Sequence, residues 1–396
     1  MRTITREQDL EPLFELIDQH KRVALDLEFV PERTYYPVLC LVQCCVDGQA
    51  FVIDPFKIQD LSALWKRITS PEIKAIFHAA SQDMNIIYLE SKTLPKNIFD
   101  TQIAAGFAGY GYSVGYRKLL QDVLNVHIPK TESFSDWQAR PLTDSQLEYA
   151  VNDVLHLEPL ARSIEKELEE AGRLDWVLEE CLSYEEPSLY EPDRSMDFLR
   201  IKGASKLNSR ALAILRELWS FRDEIARSQN KPPRLILQDN LMLEVARRQT
   251  KSVQGLKKMR GVRVDQVNRW GEDVIDCVET GLSLPQSECP QLSHGKAPHR
   301  SEIISSDFIY LILKIFADEL NLATEHLSTR DEIQALVRLE PEKLDEEHER
   351  IRLTRGWRRQ VVGEKIIDIV RGNPVMLSVH NNKNSPRALS VQFPDS

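Results

Sequence analysis

The sequence predicts an α/β domain followed by two all-α units. Three observations point there. Strand signals recur through the first hundred residues, after which helical spacing takes over. Residues 183–204 and 283–300 interrupt the helical pattern with prolines and charges, as linkers do. At 396 residues the chain also exceeds what one ordinary core accommodates. The expected domains are therefore 1–190, 205–285 and 300–375.

Taken in order, Glu7 to Gln19 carries Leu10, Leu13, Phe14 and Ile17 at helical spacing, and a strand begins at Arg22 and runs past Phe29. Val38 to Cys45 is a second strand, Asp47-Gly48 a tight turn, and Ala50 to Asp54 the third strand of a meander. Asp60 to Ile68 reads as a helix and Lys74 to Ala79 as a strand, with Ser81 placed to cap the next helix. Ile98 to Asp100 is a short extended piece before helices near Thr101–Ala108 and Gly115–Leu124. After a loop from Val126 to Pro141, Thr143 and Gln146 form a capping box for a stretch, Asp144–Glu170, that Pro159 should kink or divide. Further helices are expected at Leu207–Arg227, Asp239–Arg248, Ser252–Lys258, Asp265–Gly281, Asp307–Leu320, Thr329–Leu336 and Gly356–Arg371. The tail after Pro374 is polar and is expected to be poorly ordered in part.

Composition narrows the function class. Hydrophobic content of 42% with 28% charged residues describes a globular chain. No run approaches the roughly 20 apolar residues of a membrane span, and the N-terminus lacks a signal-peptide core, so a cytoplasmic protein with no membrane partner is expected. The six cysteines show no Cys-x-x-Cys pairing and read as reduced structural thiols. A net charge of −10 argues against non-specific coating of nucleic acid but leaves room for a local basic groove and for carboxylates that hold metal.

The feature that asks for chemistry is Val23-Ala24-Leu25-Asp26-Leu27-Glu28-Phe29-Val30. On a strand Asp26 and Glu28 share a face, about 6–7 Å apart, with Leu25, Leu27 and Phe29 on the other. Two such charges repel by about 3 kcal/mol at an effective dielectric near 20. A shared proton, a basic partner or a divalent cation would offset this, and the plain alternative is an edge strand with one solvated face. Asp83 falls in the first turn of a helix just past a strand, and Tyr149 and Asp153 are spaced i, i+4 on one helix face. Four carboxylates can neutralise two divalent cations, the arrangement that two-metal phosphodiester hydrolysis needs.

Asp-x-Glu, then Asp, then Tyr-x-x-x-Asp resembles the DEDD exonuclease superfamily in its tyrosine-bearing branch. The surrounding text is similar to the ribonuclease D family: Leu25-Asp26-Leu27-Glu28-Phe29, Arg33-Thr34-Tyr35-Tyr36-Pro37, His78-Ala79-Ala80-Ser81-Gln82-Asp83, Ser135-Asp136-Trp137 with Arg140-Pro141-Leu142, and Tyr149-Ala150 with Asp153-Val154. Leu215 to Gly261 resembles the HRDC module, and Gly356-Trp357-Arg358-Arg359-Gln360 the end of a second, divergent copy. Leu27 departs from the small polar residue common in the family, on the side facing away from the carboxylates.

The resemblance implies a ribonuclease H-like mixed sheet followed by two HRDC-type helical domains. It implies a 3′–5′ exoribonuclease that releases nucleoside 5′-monophosphates, with two divalent cations, Mg²⁺ or Mn²⁺, held by Asp26, Glu28, Asp83 and Asp153. Tyr149 would orient the attacking water, since a phenol with a pKa of about 10 is a poor base at neutral pH. Phe29 would hold the terminal nucleotide, and Arg33, Lys130 and Arg140 are candidates for phosphate contact. Precursor tRNA and other small structured RNAs are the implied partners, gripped by basic stretches such as Arg247-Arg248, Lys257-Lys258 and Arg355 to Arg359, with the protein acting as a monomer. The competing readings are a DNA-directed 3′–5′ exonuclease of the same superfamily and a non-catalytic RNA-binding protein.

Overall fold

The structure is a computed structural model that describes residues 2–129, 135–259, 262–292, 298–381 and 386–393. Its strands and helices through the first 182 residues are β1 (Arg2–Ile4), α1 (Glu11–His20), β2 (Arg22–Val30), β3 (Val38–Val46), β4 (Gln49–Ile53), α2 (Ser62–Ile68), β5 (Lys74–Phe77), α3 (Ser81–Ser91), β6 (Ile98–Asp100), α4 (Thr101–Phe107), α5 (Tyr116–Leu124), α6 (Asp144–Leu155), α7 (Leu157–Glu170) and α8 (Leu174–Leu182). The strands form one mixed sheet in the order β1-β4-β3-β2-β5-β6. β3 and β4 pair antiparallel across the Asp47-Gly48 turn, while β5 runs parallel to both β2 and β6. β2 is thus an interior strand: Val23, Ala24 and Leu25 are essentially inaccessible, and Leu27 is buried.

Contacts group the chain into two compact units, one of residues 1–27, 41–187 and 297–396, the other of 28–40 and 188–296. The second of these is built on α9 (Ser209–Ser228), with α10 (Pro233–Ile236), α11 (Asp239–Arg248), α12 (Val253–Lys257) and α13 (Val264–Ser283). Asn208 caps α9 through the Ala211 amide. The apolar faces of these helices close a core around Leu215, Leu218, Met242, Val245 and Val278. At their nearest approach Gly281 of α13 abuts the Ile214 backbone, a separation that leaves no room for a side chain.

The first unit also holds the helices α14 (Arg300–Glu319), α15 (Thr324–Leu327), α16 (Arg330–Val337), α17 (Gly356–Arg358) and α18 (Glu364–Val370), of which α14 packs on α15 and α16, and α17 meets α8. Trp357 stacks on Trp176 of α8 with ring centroids 4.8 Å apart and meets Phe107 of α4 edge-on at 5.2 Å. The Arg358 guanidinium is 5% exposed and donates to Glu180 and to the His326 carbonyl. A Cβ at Gly106 would fall 2.3 Å from His326 Nε2, so the glycine is what lets that ring settle against α4.

Several expectations are revised. Pro159 lies in the first turn of α7, where its missing N–H costs nothing, and the division falls at His156. After Pro374, β7 (Met376–Asn381) and β8 (Pro386–Gln392) pair antiparallel, while residues 382–385 and 394–396 of the tail lie outside the described residues. The stretch from Arg355 to Arg359 is not a free basic surface: besides buried Arg358, Arg359 binds Glu364 and Arg355 binds the Glu349 carbonyl. Arg247 and Arg248 both pair with Glu244. No helix among the described residues is long and apolar enough to cross a membrane.

Candidate active site

Strand alternation on β2 sends Leu25 and Leu27 into the core and leaves Asp26 and Glu28 together on the other face. The strand is continuous from Arg22 to Val30, so the two carboxylates are held two residues apart on one rigid element. Asp153 joins them from α6. One carboxylate oxygen from each of Asp26, Glu28 and Asp153 lies within 4.8 Å of the other two, and all three residues are half-buried.

That spacing fits a cation. Oxygens bound to one divalent ion at about 2.0–2.5 Å cannot be more than about 5 Å apart, and an all-carboxylate donor set is the one hard ions select. Each pair of charges at such a distance repels by about 3 kcal/mol at an effective dielectric near 20, a cost that a bound divalent ion reverses.

Asp83 stands outside this trio. It sits in the first turn of α3 and is 7% exposed, and its carboxyl accepts the N–H of Leu27, the residue between Asp26 and Glu28. Burial pushes the Asp83 carboxyl up to about 7, opposed by that hydrogen bond and by one from its own N–H, with the Asp100 charge adding to the rise. Burial likewise pushes Asp153 up to about 6, against the Tyr149 hydroxyl, which donates to it, and the Arg117 guanidinium. Both carboxyls are therefore raised well above the ordinary carboxylate range in the metal-free protein.

Local structure explains these placements. α6 opens with the expected capping box: Gln146 N donates to Thr143 Oγ1 at 3.2 Å and Thr143 N to Gln146 Oε1 at 3.0 Å. This fixes the helix register, and i, i+4 spacing brings Tyr149 to Asp153. α3 starts differently from expectation. Ser81 makes no cap; instead Asp100, at the end of β6, accepts the Ala79 and Ala80 amides at 3.0 and 2.9 Å and also caps α4 through Gln102. Ala79 adopts a left-handed φ of 63°, the turn that aims α3 so that Asp83 faces β2.

Of the other expected site residues, Phe29 is half-buried on β2 beside Glu28, and Arg33 is exposed in the connection after it. Lys130 lies outside the described residues. The Arg140 fork is engaged in the fold: Nε and Nη2 donate to the two oxygens of buried Asp54 at 2.7 and 2.9 Å, and Nη1 donates to the Trp137 carbonyl. Trp137 in turn packs against the Tyr149 ring, centroids 5.9 Å apart. Sequence reasoning missed Tyr116, whose phenol is pushed well above its ordinary value by burial and by the Asp153 and Asp26 charges it faces. A tyrosine opening a helix after a glycine carries no local signal of such a position.

With this geometry in hand, comparison with known proteins is direct. A family model described as 3′-5′ exonuclease matches residues 1–169, and one described as HRDC domain matches residues 211–278. The chain is 33% identical to the ribonuclease D of Gluconacetobacter diazotrophicus over 94% of its own length and 93% of the relative's. The chain belongs to the ribonuclease D family. A further member, the ribonuclease D of a Shewanella species, is 31% identical and is matched over 92% of both chains. Within the family, the solved structure of Escherichia coli RNase D, described as an exoribonuclease involved in structured RNA processing, superposes with a TM-score of 0.82 at 29% identity, covering 94% of this chain and 99% of that one.

Proposed function

We propose that this 3′–5′ exoribonuclease of the ribonuclease D family works at the cluster of Asp26, Glu28, Asp83 and Asp153 on two divalent cations, Mg²⁺ or Mn²⁺. Divalent-metal dependence belongs to the exonuclease domain it carries. The single observation that supports this site most strongly is the convergence of Asp26, Glu28 and Asp153 to within 4.8 Å from elements over a hundred residues apart. When bound, the cations supply Lewis acidity that activates the attacking water and stabilises the leaving oxygen.

The remaining work falls to the protein. Asp26 and Glu28 would offer oxygens from one face of a single strand, so their mutual spacing is set before a cation arrives. Asp83 and Asp153 would hold the cations in their ionised form, against the burial that raises both carboxyls. The Tyr149 hydroxyl, which donates to Asp153 here, would orient the attacking water toward the scissile phosphate. Trp137, held through Arg140 and Asp54, backs the Tyr149 ring, which makes Arg140 a positioning residue. Phe29, next to Glu28, would contact the terminal nucleotide, and Arg33 is a candidate for phosphate contact, as is Lys130, which lies outside the described residues.

The natural substrates on this reading are precursor tRNA and other small structured RNAs, processed in the cytoplasm by a monomer. The experiment is turnover on matched RNA and DNA oligonucleotides by the native chain and by Asp26→Asn. RNA is expected to shorten faster than DNA and the variant to lose hydrolysis along with Mn²⁺ affinity; full activity in Asp26→Asn would remove the cluster from the reaction.

A further inference from the structure

The connection from β2 to β3, residues 31–37, has neither strand nor helix hydrogen bonding of its own. Its place is set by the helical second unit. Asn230, in the turn after α9 with a left-handed φ of 46°, uses one oxygen, Oδ1, to accept the backbone N–H groups of both Tyr35 and Tyr36 at 3.1 Å. The Tyr35 hydroxyl donates to Asp223 Oδ1 of α9 at 2.8 Å and accepts from Arg194 Nη1 at 2.8 Å. Arg227, one turn along α9, fixes the other Asp223 oxygen at 2.8 Å. Asp223 is 9% exposed, and the Tyr35 ring packs against the helical core between the Arg194 and Arg227 guanidinium groups.

We propose that the first HRDC-type module is a positioning element of the active site as well as an RNA-binding unit: Asn230 and Asp223 hold Tyr35, and through it the strand end that carries Glu28 and Phe29. The physical reason is tethering. Val30 leads directly into the segment, so whatever holds residues 31–37 borders the half-buried end of β2, Glu28 to Val30. Two backbone amides and one buried, charge-backed hydroxyl bond restrain that end. A carboxylate that swings by an ångström loses much of its value as a metal donor or positioning group. Tyr35 is then a positioning residue, acting through Glu28 without touching substrate.

The inference rests on the metal-site reading above, and its test separates the two. Mn²⁺ affinity of the full chain is measured by calorimetry without RNA, and kcat and KM are measured on a 5′-labelled RNA trinucleotide, too short to engage a distant RNA-binding surface. Tyr35→Phe and Asn230→Gly keep ring and turn while removing the bonds. We expect each to weaken Mn²⁺ binding about threefold to tenfold and to lower kcat on the trinucleotide by a similar factor. Arg263→Ala, which removes an exposed ion pair elsewhere in the module, should change neither quantity. Unchanged Mn²⁺ affinity in both Tyr35→Phe and Asn230→Gly overturns the inference, whatever happens to rate. Absence of Mn²⁺ binding in the wild-type chain would instead overturn the metal-site reading itself.

Discussion

On the proposed metal-site reading, cation binding releases protons, because two of the four carboxyls are raised by burial. With Asp83 raised to about 7 and Asp153 to about 6, these two carboxyls together carry about one proton at pH 6.5. A cation needs both groups ionised, so binding at pH 6.5 should expel about one proton and at pH 8.5 almost none. The affinity follows: between pH 8.5 and 5.5 it should fall on the order of a hundredfold. The stability of the metal-free protein runs the other way. Because both folded-state values lie above the ordinary carboxylate value of 3.8, their stabilisation is complete below that value and is lost as pH rises through 6 and then 7. Thermal stabilisation by a fixed Mn²⁺ concentration should therefore grow from pH 5.5 to 8.5. Calorimetry in two buffers of different ionisation enthalpy counts the protons directly. A flat affinity over this range, with no proton released at pH 6.5, would refute the placement of Asp83 and Asp153 as buried ligands.

Two further outcomes are expected from the contacts. Tyr149→Phe should lower kcat by about tenfold to a hundredfold while leaving Mn²⁺-induced thermal stabilisation nearly intact, because only the water-aligning hydroxyl is lost; loss of both would mark the tyrosine as structural. Arg140→Ala strands the buried Asp54 carboxylate and should cost about 3–5 kcal/mol in urea unfolding, whereas Asp54→Asn, which keeps the acceptor shape, should cost less; an Arg140→Ala chain as stable as wild type but weaker for RNA would restore Arg140 to phosphate contact.

The chemistry of this chain was legible in its sequence where local rules carry it. The anomaly of Asp26 and Glu28 inside an apolar run announces itself because a strand's period of two puts both on one face. Thr143 and Gln146 announce α6, and i, i+4 spacing then joins Tyr149 to Asp153. What the sequence hides depends on partners far away in the chain. Arg140 finds Asp54, 86 positions upstream, and Arg358 finds Glu180, 178 positions upstream, so neither reveals from its neighbours that its charge is spent inside the fold. Asp100 displaces Ser81 as the group that satisfies the start of α3, because two parallel strands place β6 beside that turn. Residues 31–37 read as a motif without a mechanism until Asp223 and Asn230 are seen to hold Tyr35. The three-residue β1, the helix α8 and the closing hairpin are too short or too polar to stand out by periodicity, and tertiary pairing decides them.

The central claim is that this carboxylate cluster drives metal-dependent hydrolysis from RNA 3′ ends. A product time course on 5′-labelled RNA, with and without EDTA, tests it most directly. The account predicts a ladder that shortens one nucleotide at a time from the 3′ end and stops when the chelator is added. Internal cleavage products, or shortening that continues in EDTA, would contradict it.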